Sequence, residues 1–175
     1  MTARTLSRPD ATEYAPFYAG YVARVPDGDV AELLEAQGRD TAALLAGLSE
    51  ERGEYRYAPD KWTLKEVIGH IADAERVFAY RALRIARGDQ TPLASFDENA
   101  YVPAAECGRR TLADLAAELG AVRGATLALV RSLTDAAATR TGTASGKTIS
   151  VRALAYIAAG HERHHLAIIR ARYLP

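Results

Sequence analysis

Apolar residues recur at intervals of three and four in four stretches of this chain, the period of a helix buried along one side. The first stretch predicts a helix over 29–48, with Val30, Leu33, Leu34, Leu44, Leu45 and Leu48 on one side. The second, 63–87, has the clearest start: Thr63 and Glu66 form an S/T-x-x-E capping box directly after Trp62, and Gly88 supplies a C-cap. Thr111, with Asp114 three residues on, opens a third helix over 111–133 through Leu115, Leu119, Val122, Leu129 and Val130. Ser150 caps a fourth, 150–172.

The segments between have their own character. Residues 1–27 carry Pro9, Pro16, Pro26 and several tyrosines without a clean period, and read as an irregular arm with a short helix, lying on a domain that spans 28–175. Gly53 and Pro59 break the chain before the second helix. The polar connection 89–110, with Pro92 and Pro103, is long enough to cross a bundle from one end to the other. Arg140 to Thr148, with Gly142 and Gly146, reads as a turn or a small hairpin. Four amphipathic helices without a convincing strand elsewhere predict an all-α fold, a four-helix bundle.

Charge and composition narrow the partners. Twenty-two basic residues balance 22 acidic ones, so no long-range field draws a polyanion, and neither nucleic acid nor a membrane surface is expected as a partner. No apolar run approaches the roughly 20 residues of a membrane span. The N-terminus lacks the order of a secretory signal, and a single cysteine, Cys107, suits a reducing compartment; a cytoplasmic protein is expected.

Candidate chemistry concentrates in His161-Glu162-Arg163-His164-His165. Its first and last histidines stand at i and i+4, a spacing at which both can reach one metal ion. The letters also spell HExxH, the signature in which zinc proteases use the glutamate as base. Those enzymes take a third ligand from further along the chain, yet Leu166 to Pro175 offers no His, Cys, Asp or Glu. A third protein ligand would come from upstream, where the one histidine is His70. At about 100° per residue, Leu154, Ile157 and Ile168 fall within roughly 40° of His161, and His165 falls near +40°, so both rings interrupt the apolar stripe. His164 falls near −60°, at its rim. A lone inward histidine is more often a hydrogen-bonded core residue than a ligand; two on one face shift the balance towards metal. His70 lies at the edge of its helix, either as a ligand at a cleft mouth or as a surface histidine paired with Asp73. Spacing does not separate these alternatives.

The block Trp62-Thr63-Leu64-Lys65-Glu66-Val67-Ile68-Gly69-His70-Ile71-Ala72-Asp73-Ala74-Glu75-Arg76 resembles the second helix of the DinB/YfiT-like superfamily. So do the continuation through Arg81 to Gly88-Asp89, then Phe96-Asp97-Glu98-Asn99-Ala100-Tyr101, and Lys147-Thr148-Ile149-Ser150-Val151-Arg152 leading into Gly160-His161-Glu162-Arg163-His164-His165. The resemblance implies an up-down-down-up helix order, which the 89–110 crossover permits, and a divalent metal, zinc or nickel, on His70, His161 and His165. It also implies a homodimer, and an activity in stress response or detoxification. Family members with assigned activity transfer a low-molecular-weight thiol such as bacillithiol, mycothiol or glutathione to an electrophile, and one isomerises maleylpyruvate.

Three neutral imidazoles leave a divalent metal an open position, the arrangement of a catalytic zinc site, and a thiol entering it is held as thiolate. A metal-dependent thiol S-transferase is therefore the leading expectation. A metal-dependent hydrolase with Asp73 or Glu162 as base is the alternative, and a non-catalytic metal-binding stress protein the third. Glu162 sits about 100° from His161 on the wheel and is expected to be solvated. Arg81, Arg84 and Arg87 read as a solvated stripe, although they suit an anionic cosubstrate. Cys107 reads as incidental, with Arg109 and Arg110 placed to lower its pKa. Trp62 is expected to anchor its helix. Phe96 to Tyr101 is expected over the cleft, with Asp97 or Asn99 behind a ligand histidine.

Overall fold

The computed structural model describes residues 6–174; the first five residues of the arm, and Pro175, lie outside the described residues. Along the described chain come α1 (Ala19–Val22), α2 (Val30–Ala46), α3 (Glu50–Gly53), α4 (Leu64–Ala86), α5 (Glu98–Ala104), α6 (Leu112–Ser132), α7 (Asp135–Ala138), the strands β1 (Thr141–Ala144) and β2 (Lys147–Ser150), and α8 (Val151–Ile168). The fold is mostly helical, and its long helices α2, α4, α6 and α8 are the four that the apolar period predicts. Their starts are fixed by the expected side chains. Thr63 and Glu66 cap each other's backbone at α4, Thr111 accepts from Asp114 N at α6, and Ser150 accepts from Ala153 N at α8. Past Ile168 the chain widens into a π-helical turn, Ile169–Tyr173.

α2 packs on α6 and α8, and α4 packs on the same two, so the four helices enclose one interior. That interior holds two apolar clusters. One collects Leu34, Phe78, Leu127, Val130, Leu154 and Ile157; the other collects Leu45, Val67, Ile71, Leu119, Leu166 and Ile169. Each long helix thus runs from one cluster to the other, and at the crossing point each carries polar side chains. Gln37 and Thr41 on α2, His70 and Glu75 on α4, Arg123 on α6, and His161 and Glu162 on α8 are all buried there. A polar layer therefore divides the core, and the candidate chemistry lies in it.

Two peripheral pieces close the bundle around that layer. β1 and β2 pair antiparallel, with Thr141 opposite Ser150 and Ala144 opposite Lys147, across a turn in which Ser145 and Gly146 both have positive φ. The 89–110 connection is more ordered than expected. Leu93 N donates to Thr143 O and Ser145 N to Leu93 O, pinning it to the hairpin, and α5 lies within it. The arm is tied down by Arg8, which donates to Val22 O and Val25 O at 2.9 and 2.6 Å, and by Arg152, which grips Glu13. At Gly160 the backbone of α1 comes so near α8 that an added Cβ would lie 2.0 Å from Tyr21 O. Among the described residues, no helix is long and apolar enough to cross a membrane.

Candidate metal centre

His161 sits midway along α8 and His165 one turn later, where the helical period stacks their rings on the inward face. His70 faces them from α4. The Nε2 of His161 lies 3.0 Å from that of His70 and 3.1 Å from that of His165. The three histidines form a group whose ligand atoms all lie within 4.8 Å of one another, close enough to hold one metal ion.

The donor set fits a cation. A neutral imidazole nitrogen either donates one hydrogen or offers one lone pair. His161 Nε2 faces two other Nε2 atoms, so no choice of tautomers satisfies both contacts. A cation resolves this by taking a lone pair from each ring. Two nitrogens at about 2.0–2.1 Å from a tetrahedral zinc stand roughly 3.3 Å apart, near the spacings observed. Burial also keeps the rings neutral. It drives the pKa of His161 well below the usual histidine value, His165 down to about 3, and His70 downwards against the weaker opposing fields of Glu98 and Asp73. Nitrogens without protons are what a metal requires.

Surrounding rings fix the imidazoles. Trp62 tilts over His70 with centroids 5.0 Å apart, Tyr21 meets His161 edge to face at 5.5 Å, and Phe78 does so at 5.6 Å. Trp62 is thus more than the expected helix anchor, although its carbonyl does accept from Tyr173 Oη at 2.8 Å. His164 is not one of the converging group; its ring packs between Tyr21 and His165.

Other expectations are corrected. Glu162 is not solvated: it is 1% exposed, accepts from Thr41 Oγ1 at 2.6 Å and from Gln37, and pairs with Arg123 at 2.6 Å. The wheel placed it on a flank, but both flanks of α8 are covered, by α2 and by α4. Asp73 pairs with Arg76 at 3.1 Å, and His70 is buried against His161 instead of pairing with Asp73 at the surface. Arg81 is buried and donates to Ala94 O and Ser145 Oγ, tying α4 to the crossover and the hairpin. Cys107 is buried with its sulfur against Gly69, and burial raises its pKa despite Arg110. Asp97 accepts from Asn99 N and Ala100 N as the cap of α5.

The histidines floor a cavity of about 380 Å³, within the range of small-molecule clefts. Phe96 lines it, as its segment suggested, but several lining residues were not singled out in the sequence. Phe17, Tyr18 and Tyr21 come from the arm, Glu98 from α5, and Ser145 and Lys147 from the hairpin. For the arm residues the only advance signal was the cluster of tyrosines without a helical period, whereas Glu98 lies in the Phe96–Tyr101 segment expected over the cleft.

The family model for the DinB superfamily matches residues 33–169, and the chain belongs to that superfamily. Among solved structures it is similar to YfiT from Bacillus subtilis, described as a probable metal-dependent hydrolase with an unusual four-helix bundle topology. The two share 20% identity at a TM-score of 0.70, over 94% of this chain and 90% of that one, a likeness that shows the fold alone. No curated protein matches the chain.

Proposed function

We propose that this protein is a metal-dependent transferase that joins a low-molecular-weight thiol to a small electrophile, with His70, His161 and His165 holding one divalent ion, zinc or nickel. One observation carries the reading. An aromatic-walled cavity opens on three neutral imidazoles, while the two carboxylates named by the sequence, Glu162 and Asp73, are engaged with arginines. A nucleophile used there should need little help from a carboxylate base, and a thiol, at pKa about 8.5, is far easier to ionise than water at 15.7. A divalent ion, when bound, supplies the charge that holds such a thiol ionised at neutral pH.

The chain's own residues do the rest. Trp62 holds the His70 ring in position, and Tyr21 and Phe78 hold that of His161. α2 and α8 run from the Leu34–Leu154 cluster towards the Leu45–Leu166 cluster, and α4 and α6 run the other way. These directions support an up-down-down-up order, which brings α4 and α8 together antiparallel at the histidines.

Glu98 favours a second reading. Among the described residues it is the one carboxylate on the cavity wall, its field reaches His70, and it is a candidate base for a metal-dependent hydrolase. Zinc- or nickel-loaded protein incubated with bacillithiol, mycothiol or glutathione and a monohalobimane separates the two. The transferase reading requires thiol-dependent conjugation that His161→Ala abolishes. Ester cleavage without thiol, abolished by Glu98→Gln, would replace it with the hydrolase. Inertness in both assays would leave a non-catalytic metal-binding protein.

A further inference from the structure

Phe17 is the most exposed large apolar side chain among the described residues, at 74%, yet it is not a loose surface residue. Its ring is braced edge to face by Tyr18 at 5.1 Å and by Tyr21 at 6.1 Å. Tyr18 in turn abuts Phe78 at 6.4 Å, and Tyr21 abuts His161 at 5.5 Å. A continuous line of rings thus runs from the cavity rim down to the histidines. The segment bearing it is held before any ligand arrives. Arg8 clamps Val22 O and Val25 O, Glu13 is gripped by Arg152, and Gly160 admits the backbone of Tyr21. A rigid aromatic platform of this kind loses little freedom on binding.

Charge on the same wall has a direction too. Arg81 is committed to Ala94 O and Ser145 Oγ, with its guanidinium over the Phe96 ring. Glu98 acts on the histidine end, where its field reaches His70 and Tyr21. Lys147 is exposed on β2 opposite Ala144, and its ammonium makes no hydrogen bond or ion pair with the described residues. Glu98 is likewise without an ion pair among the described residues but lies towards the histidines, so the cavity wall carries, away from them, an uncommitted cation, Lys147, and an uncovered ring, Phe17. A small molecule carrying both a ring and an anion answers both features, and about 380 Å³ admits one or two fused rings.

We infer that the acceptor substrate is a small aromatic anion, its ring held against Phe17 and Tyr18 and its anionic group beside Lys147. The inference rests on the transferase reading only in calling this molecule the acceptor. The platform lies outside residues 33–169, the stretch matched by the family model.

The test is calorimetric titration of metal-loaded protein with 2-naphthalenesulfonate, naphthalene-2-methanol and cyclohexanesulfonate. A sulfonate is a poor metal ligand, so its affinity reports the walls. The naphthalenesulfonate should bind most tightly, and Phe17→Ala should weaken both naphthalene probes by about fivefold. Lys147→Ala should weaken the naphthalenesulfonate by about threefold and leave the alcohol unchanged. Both side chains are exposed, and an unchanged circular dichroism spectrum confirms that each variant is folded. Equal affinity for cyclohexanesulfonate, no effect of Phe17→Ala, or an effect of Phe17→Ala on oligomeric mass alone overturns the inference. The outcomes also separate the two claims. Thiol conjugation without this binding pattern sinks the aromatic-anion site and keeps the transferase. The binding pattern without thiol conjugation keeps the site and sinks the transferase.

Discussion

Glu162 directly follows His161, yet its carboxylate turns away from the histidines and meets the Arg123 guanidinium at 2.6 Å. Arg123 also holds Glu75 through two hydrogen bonds, at 2.8 and 2.7 Å, and donates to Leu34 O. Helices α2, α4, α6 and α8 are thereby joined through one guanidinium and its partners, in the layer that carries the metal-binding candidates. The HExxH spelling is a coincidence of spacing. Here the glutamate belongs to the bundle's internal ion pair.

Replacing Glu162 by Ala should therefore act on stability. It strands a buried guanidinium beside a single carboxylate, and breaking such a pair costs about 3–5 kcal/mol. Glu162→Gln, which keeps the shape and some hydrogen bonds, should cost less. Urea unfolding of the two variants checks this. A loss under about 1 kcal/mol for the alanine variant would mean that water solvates the site after all.

Gly160→Ala should displace the arm. The new Cβ meets backbone at 2.0 Å, which no rotamer change relieves, so α1 must move off α8. Overpacking of this kind costs about 1–3 kcal/mol. Limited proteolysis should cut near Tyr21 faster in the variant than in the parent. Equal cutting rates would show that α8 moves instead.

The long helices were legible because all four carry an apolar period and three of them also a recognisable cap. Thr63, Thr111 and Ser150 all cap as expected. The histidine spacing on α8 was legible for the same reason, since one helix fixes it. What escaped depends on faces that different helices turn to each other. A single-helix wheel put Glu162 and Arg81 in water because it holds no record of Arg123 or of the Ser145 turn. The arm escaped for a different reason. Phe17, Tyr18 and Tyr21 lie on short turns, and only the tertiary approach at Gly160 brings their rings to the histidines.

The arm's tether should weaken in acid. Arg152, gripping Glu13, lowers its carboxyl to about 2 from the ordinary 4.5. A depressed folded-state pKa contributes stability that is complete above the unfolded value and is lost as pH falls from about 4.5 towards 2. Arg152→Met should remove that contribution and flatten this part of the stability curve. Thermal melts of parent and variant between pH 6 and about pH 3 check it. Parallel curves would show that the pair contributes nothing to folding.

The three histidines should behave as one site and His164 as a bystander. His70, His161 and His165 converge with Nε2 separations of 3.0 and 3.1 Å, and burial holds all three rings below their usual pKa. His164 packs on Tyr21 and lies outside the converging group. Alanine at any of the three leaves two nitrogens, too few for a closed imidazole set, so metal content should fall well below one ion per chain. The stabilisation the metal provides should fall with it, by about 2.7 kcal/mol where the ion is present at a hundredfold its dissociation constant. The apo forms of these variants should stay folded, because the rings line a cavity and are neutral, so removing one strands no buried charge. That separates loss of metal from loss of fold. His164→Ala should keep both metal content and the metal-dependent rise in melting temperature. Metal analysis of the four purified variants, with melts recorded before and after chelation, decides the assignment. Equal loss from His164→Ala, or full occupancy in His70→Ala, would move the site away from this trio.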